Sequence, residues 1–278
     1  MHADFAPKLA RVLTEYCTPI QPGDYTVIIA GPEAAPVVEA LFEAVLHCGG
    51  HPVTQISLPN LSEIFYRYAS DEQLDFSDPA DVTRINEVDA LFSVFASTNT
   101  KRFARVAPER MARAQQANRP WLERYFERIA DGSLKWNIFA WPTQAAAQEA
   151  EMGLLDYSDF VYRACGLDQP DPVAYWMEFR EKQERLAAWL QGKHHAEVRG
   201  PGVHLSFDFS ERPWASCHGA NNFPDGEIYT CPIEDTMNGT IEFSYPSVYA
   251  GRETNGVRLV FRDGVVVEAS AEKGEDYL

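Results

Sequence analysis

The chain has 278 residues, 45% of them apolar and 12% aromatic, enough to bury the core of one large domain or two ordinary ones. Forty-one acidic against 24 basic side chains leave a formal charge of −17, which repels phosphate backbones and argues against a nucleic-acid partner. Five scattered cysteines (Cys17, Cys48, Cys165, Cys217 and Cys231) show no C-x-x-C spacing, which excludes a zinc knuckle or dithiol redox motif and points to free thiols in a reducing compartment.

Along the chain, Phe5, Leu9, Val12, Leu13 and Tyr16 fall at helical spacing. The same segment carries Asp4, Lys8 and Arg11 and has no signal-type apolar core. No later run approaches the roughly 20 apolar residues of a membrane span. A cytoplasmic protein without a membrane partner is expected. Gln21-Pro22-Gly23-Asp24 reads as a turn, and "YTVIIA" (Tyr25–Ala30) as a strand buried on both faces. Gly31-Pro32-Glu33 then opens a helix through Val37, Val38, Leu41, Phe42 and Val45, which stops at Gly49-Gly50. "PVTQISL" (Pro52–Leu58) is a second strand, and "EVDALFSVFAS" (Glu87–Ser97) contains a third. This βαβ order predicts a parallel sheet with helices on its faces.

Asn99–Asp131 is rich in arginine, with Phe103, Met111, Trp121, Tyr125 and Phe126 interleaved. Glu109, Glu123 and Glu127 lie among these residues, so a salt-bridged helical face is the simpler reading than an RNA surface. Some of the arginines could instead hold a neighbouring subunit or a substrate carboxylate. "KWNIFAWPT" (Lys135–Thr143) predicts another buried strand, and residues 144–191 read almost entirely as helix, with Asp171 as an N-cap before Pro172. From Glu197 on, alternating strands are separated by Pro-Gly, Asn-Gly and Asp-Gly turns. Asp263-Gly264 is the strongest hairpin signal among them. The expected organisation is an N-terminal α/β domain with a mainly parallel sheet over 1–195, then a β-rich (α+β) part over 196–278.

Few residues invite chemistry. The Gly31-Pro32-Glu33 turn lacks any phosphate-loop fingerprint, so a nucleotide site there rests on the turn alone. Cys217 and His218 are adjacent, and on a strand they would point to opposite faces, so a nucleophile–base pair is not expected. His194-His195 is expected to cap a helix and face water, and Glu234-Asp235 to form a solvated turn. Glu227 differs in its setting. "NFPDGEIYTCP" (Asn222–Pro232) delivers it from a Pro-Asp-Gly turn into a short β-prone run, the kind of fixed oxygen that a divalent metal requires. Read alone, it is more simply a solvated turn residue.

The stretch "NNFPDGEIYTCPIEDTMNGTIEFSYPSVYAGRETNGVRLVFRDGVVVEASAEKGEDYL" resembles the thermophilic-type metallo-aminopeptidases, the aminopeptidase T and aminopeptidase S family. A "PxGEVFTAP"-like segment and an "NGTIxFxxPxxYxGxxxxGVRLxFxxGxVVEAxAEKGEE" pattern carry the likeness. Upstream, "RPWLERYFERIADGSLKW", "DFVYRACGLDQPDP" and "FREKQERLAAWL" extend it over most of the chain. The resemblance implies a pair of divalent metal ions, zinc or cobalt, that activates water to remove N-terminal residues from peptide substrates with a free N-terminus. It also implies a homodimer, and it makes Glu227 a metal ligand. The family's other ligands follow the "AEKGEE" segment, beyond Leu278. The 278 residues are therefore expected to be an incomplete catalytic unit, inactive alone. The alternative expectation is a non-catalytic binding or assembly module that keeps the family's shape.

Overall fold

In the computed structural model, which describes residues 2–249 and 252–278, the first helical stretch is α1 (Phe5–Val12) followed by a π-helical turn, Leu13–Cys17. The widening has a local cause. Thr14 Oγ1 donates back to the Ala10 carbonyl at 2.8 Å, and the Thr18 N–H reaches the Leu13 carbonyl five residues earlier. Next come β1 (Tyr25–Ala30), α2 (Ala35–His47), β2 (His51–Ile56), α3 (Pro59–Tyr68), α4 (Asp71–Leu74), α5 (Pro79–Glu87) and β3 (Ala90–Phe95). They are followed by α6 (Pro108–Ala117), α7 (Arg119–Ala130), β4 (Lys135–Ala140), α8 (Gln144–Glu149), α9 (Leu154–Ala164) and α10 (Pro172–Leu190). The remaining elements are strands: β5 (His195–Gly200), β6 (Val203–Asp208), β7 (Ala215–Cys217), β8 (Asn222–Phe223), β9 (Glu227–Tyr229), β10 (Asn238–Glu242), β11 (Ser247–Tyr249), β12 (Arg252–Thr254), β13 (Arg258–Arg262) and β14 (Val265–Ser270).

The chain forms two compact units. The first comprises Met1–Arg102, Val106–Arg180 and Cys217–Gly226; the second comprises Phe103–Arg105, Glu181–Ser216 and Glu227–Leu278. The compositional change at residue 195 coincides with the start of β5.

The first unit is built on a parallel sheet in the order β2-β1-β3-β4-β8. Alternation along β1 and β3 sends Ile28, Ala30, Phe92 and Val94 into one core with Leu9 and Leu13, and with Leu41 and Val45 of α2. Val27 and Leu91 enter a second core with Ile85 of α5, beside Trp121 and Ile129 of α7. Helices therefore cover both faces, as the βαβ pattern predicts. Gly49 ends α2 at φ 83, its N–H donating to the Leu46 carbonyl while that of Gly50 reaches Val45.

The helical reading of 144–191 was too continuous. Glu151 takes φ 55 before Gly153 caps α9, and Gly166 takes φ 64 between α9 and α10. A Cβ at Gly166 would stand 2.7 Å from the Tyr175 ring, so the chain breaks where the aromatic packs. Asp171 caps α10 as expected, accepting from the Val173 N–H at 3.2 Å.

The arginines of 99–131 act as braces. Arg113 grips Asp71 and Asp75 at 2.6 Å, which holds the Asp75 carboxyl below its usual range. Arg119 pairs with Glu123, and Arg124 with Glu127 and Asn86. Arg110 donates to the Tyr66 and Ala69 carbonyls. Arg128 is buried and spends its donors on the Ile85, Val88 and Ser133 carbonyls and on Ser133 Oγ.

The second unit holds an antiparallel sheet in the order β14-β13-β10-β6-β5. Two-residue turns close β5–β6 at Pro201-Gly202 and β13–β14 at Asp263-Gly264. Asp263 (φ 48) and Gly264 (φ 77) give the left-handed pair that such a turn needs. The Asn-Gly pair at 238–239 is not a turn. It lies inside β10, where Gly239 opposes Leu205 of β6 and lets the two backbones approach. Along the edge strand β14, Val265, Val266 and Val267 are exposed.

Candidate metal-ligand segment

The segment that leads to Glu227 is fastened to the first unit at several points. Tyr16, placed by the π-helical turn, donates its hydroxyl to the His218 carbonyl at 2.8 Å, and the same oxygen lies 2.9 Å from His218 Nδ1. The Ile138 N–H donates to the Asn221 carbonyl at 2.8 Å, and Asn221 Nδ2 reaches back to the Trp136 carbonyl. Asn222 and Phe223 then pair with Ile138 and Phe139 as β8, a two-residue fifth strand of the parallel sheet. Phe223 is buried, its ring 4.9 Å from that of Trp176. Its peptide bond to Pro224 is cis.

Gly219 leaves little room for a side chain here. It takes φ +89, and a Cβ would stand 3.1 Å from Trp176 and 3.2 Å from Phe223. Gly219→Ala should destabilise this segment by about 1–3 kcal/mol. Amide exchange at Asn222 and Phe223 measures it, and protection unchanged from the parent would show that the ring pair gives way freely.

After Pro224 the chain turns through Asp225, whose Oδ1 accepts from the Gly226 N–H at 2.7 Å. Glu227 opens β9 and is exposed, Ile228 is half-buried and Tyr229 is exposed. β9 pairs with β7 in a separate two-stranded ribbon. The β-prone run and the turn thus stand where the sequence puts them.

The other sequence candidates have partners of their own, and only Ser216 and Cys217, in β7, share a ribbon with β9. His218 has its ring against Tyr16. His204 of β6 lies 3.1 Å from Glu197, and Arg199 followed by His204 holds that carboxyl below its usual range. His195 does not cap a helix: it is the first residue of β5, 2.6 Å from Asp208. Ser216 donates to Gln183 at 3.1 Å. Glu234 pairs with Arg212 at 2.6 Å. Cys17 and Cys165 are buried core thiols whose pKa is pushed up by desolvation, which disfavours the thiolate a nucleophile needs.

Among the described residues, no group of three or more His, Cys, Asp or Glu side chains is placed to hold a metal ion. A hydrolytic zinc normally takes three protein ligands. Glu227 stands in no such group, so the residues present do not by themselves fit a bound ion. The anchoring of the segment before Glu227 by Tyr16, Trp176 and Phe223 escaped the sequence reading.

A doubly wound α/β unit, joined to an antiparallel β unit and carrying a turn-borne carboxylate, defines the class: a mixed α/β protein with a candidate metal ligand. Residues 4–278 match the family described as thermophilic metalloprotease (M29), and the chain belongs to that family. Aminopeptidase 2 of Geobacillus stearothermophilus is 27% identical over 294 residues, an alignment covering 98% of this chain and 71% of that protein. Aminopeptidase T of Thermus aquaticus is 31% identical over 191 residues, covering 62% of this chain and 46% of the relative. The solved structure of wild-type AmpT from Thermus thermophilus has the same fold. Its TM-score is 0.83 at 23% identity, over 98% of this chain and 72% of that one. By family resemblance the protein is an enzyme, a metallo-aminopeptidase. No helix among the described residues is long and apolar enough to cross a membrane.

Proposed function

We propose that the protein acts in the metal-dependent removal of N-terminal residues from peptides, and that Glu227 is its contribution to the metal centre within these 278 residues. The observation that carries this reading is the position of Glu227 directly after the Pro-Asp-Gly turn, within a family match that runs from residue 4 to 278. The reaction proposed for a completed site is attack by water activated at two divalent ions, zinc or cobalt, on a peptide with a free N-terminus. No catalytic step follows from one carboxylate. The further ligands have to come from beyond the side chains described, and the 278 residues alone are inactive in this reading. A cytoplasmic homodimer is the proposed setting.

A non-catalytic binding or assembly module is favoured by the same incomplete ligand set. Metal uptake and turnover are the test. The purified chain should take up no stoichiometric zinc or cobalt in equilibrium dialysis and should leave aminoacyl-p-nitroanilides intact. Turnover that disappears in Glu227→Ala would overturn the inactivity and confirm the ligand. Stoichiometric uptake that survives Glu227→Ala would remove Glu227 from the site.

A further inference from the structure

A cleft of about 290 Å³ opens in the first unit at the C-terminal ends of β1, β2 and β3. Its place follows from the topology. β1 and β3 are neighbours, yet β1 leads into α2 on one face, whereas the chain leaving β3 runs on through α6 to α7 on the other. In an open α/β sheet the crevice between two such strands is where ligands bind.

Its lining is apolar at Phe95, Ala96 and Pro59, with Ser57, Ser93, Ser97 and Arg102 as polar groups. Phe95 is 60% exposed despite ending a buried strand. Arg102 is held in place: Nη1 donates to the Pro59 carbonyl at 2.6 Å and Nη2 to Thr98 Oγ1 at 2.9 Å. These bonds leave guanidinium donors to spare. Arg113, Arg119 and Arg124 each pair with a carboxylate. Among the described residues no carboxylate lies in ion-pair reach of Arg102, although the chain carries 41 acidic side chains. A fixed, uncompensated cation at the edge of an apolar cleft is a receptor for an anion.

We propose that this cleft binds a small carboxylate-bearing molecule with an apolar body, of amino-acid to dipeptide size. Arg102 takes the carboxylate, the serines supply further hydrogen bonds, and Phe95 faces the apolar part. A phosphate is disfavoured by the turn after β1, where Pro32 removes a backbone donor and no glycine-rich loop wraps the space. The proposal is independent of Glu227 and of any metal.

The test is calorimetric titration of the whole chain with three probes: N-acetyl-L-leucine, L-leucinamide and adenosine monophosphate. N-acetyl-L-leucine should bind saturably and L-leucinamide should not. Arg102→Gln should weaken binding by about tenfold or more, the scale of a lost charge-assisted hydrogen bond. Ser57→Phe, which fills the cleft and leaves both Arg102 bonds in place, should block binding to the same degree. If Arg102→Gln fails to fold, Ser57→Phe decides alone. Absence of saturable N-acetyl-L-leucine binding, or binding indifferent to the variants, overturns the proposal. Arg102-dependent binding of the nucleotide alone overturns it in favour of a phosphate site.

Discussion

Gly239→Ala should unfold the antiparallel sheet of the second unit. Gly239 sits in the central strand β10 at φ +121, a conformation nearly closed to other residues, and a Cβ there would lie 2.0 Å from the His204 carbonyl oxygen. Neither strand can retreat easily, because β10 is bonded to β6 on one side and to β13 on the other. Overlap with backbone and a forbidden φ act together, so a loss of about 4 kcal/mol or more is expected. Hydrogen exchange read strand by strand is the measurement. Protection should vanish in β6, β10 and β13, while β1 and β3 keep theirs. Retention of protection in β10 would mean that the sheet accommodates the methyl by a shift of register.

The second large effect is expected at Arg128. The residue is 6% exposed, yet its charge is well housed. Two of its bonds go to carbonyls at the C-terminal end of α5, Ile85 at 2.9 Å and Val88 at 2.6 Å, where the helix presents negative potential to a cation. The other two tie α7 to Ser133. Arg128→Met keeps much of the packing volume but leaves those carbonyls buried without a donor, for a loss of about 3–5 kcal/mol. Arg128→Lys should recover little, since one ammonium cannot span the same fork. Urea unfolding of the three proteins checks this. Near-parent stability of the lysine variant would show that charge alone, and not geometry, is what the site requires.

These two residues also mark the limits of reading structure from sequence. The strands "YTVIIA" and "KWNIFAWPT", the Gly49 cap, the Asp171 cap and the Asp263-Gly264 hairpin are legible because each depends on neighbours within a few positions. Gly239 was read as part of a turn because Asn-Gly is the usual hairpin pair. Its glycine is demanded by β6, more than 30 residues earlier, and nothing local records that. Arg128 looked like one more surface charge on an amphipathic helix. Its burial comes from α5, about 40 residues upstream in sequence.

The candidate site divides in the same way. The Pro-Asp-Gly turn and the strand after it are local and were foreseen, whereas the metal role of Glu227 came from family resemblance and not from geometry. The anchors of the preceding segment could not be foreseen, because Tyr16 lies some 200 residues from His218. β8 was invisible for another reason. Asn222 and Phe223, between Asn221 and Pro224, carry no periodicity, and only the waiting edge of β4 makes them a strand.

That two-residue strand has a consequence for how the protein is made. Its segment, Cys217–Gly226, belongs to the first unit but is synthesised after Glu181–Ser216, which belongs to the second. During translation the sheet edge at β4 and the indole of Trp176 stay uncovered until residue 223 has left the ribosome. The first unit is therefore not an autonomous N-terminal piece. A gene cut at residue 195 would release a sheet with an open border, a surface suited to capture by chaperones or by another nascent chain.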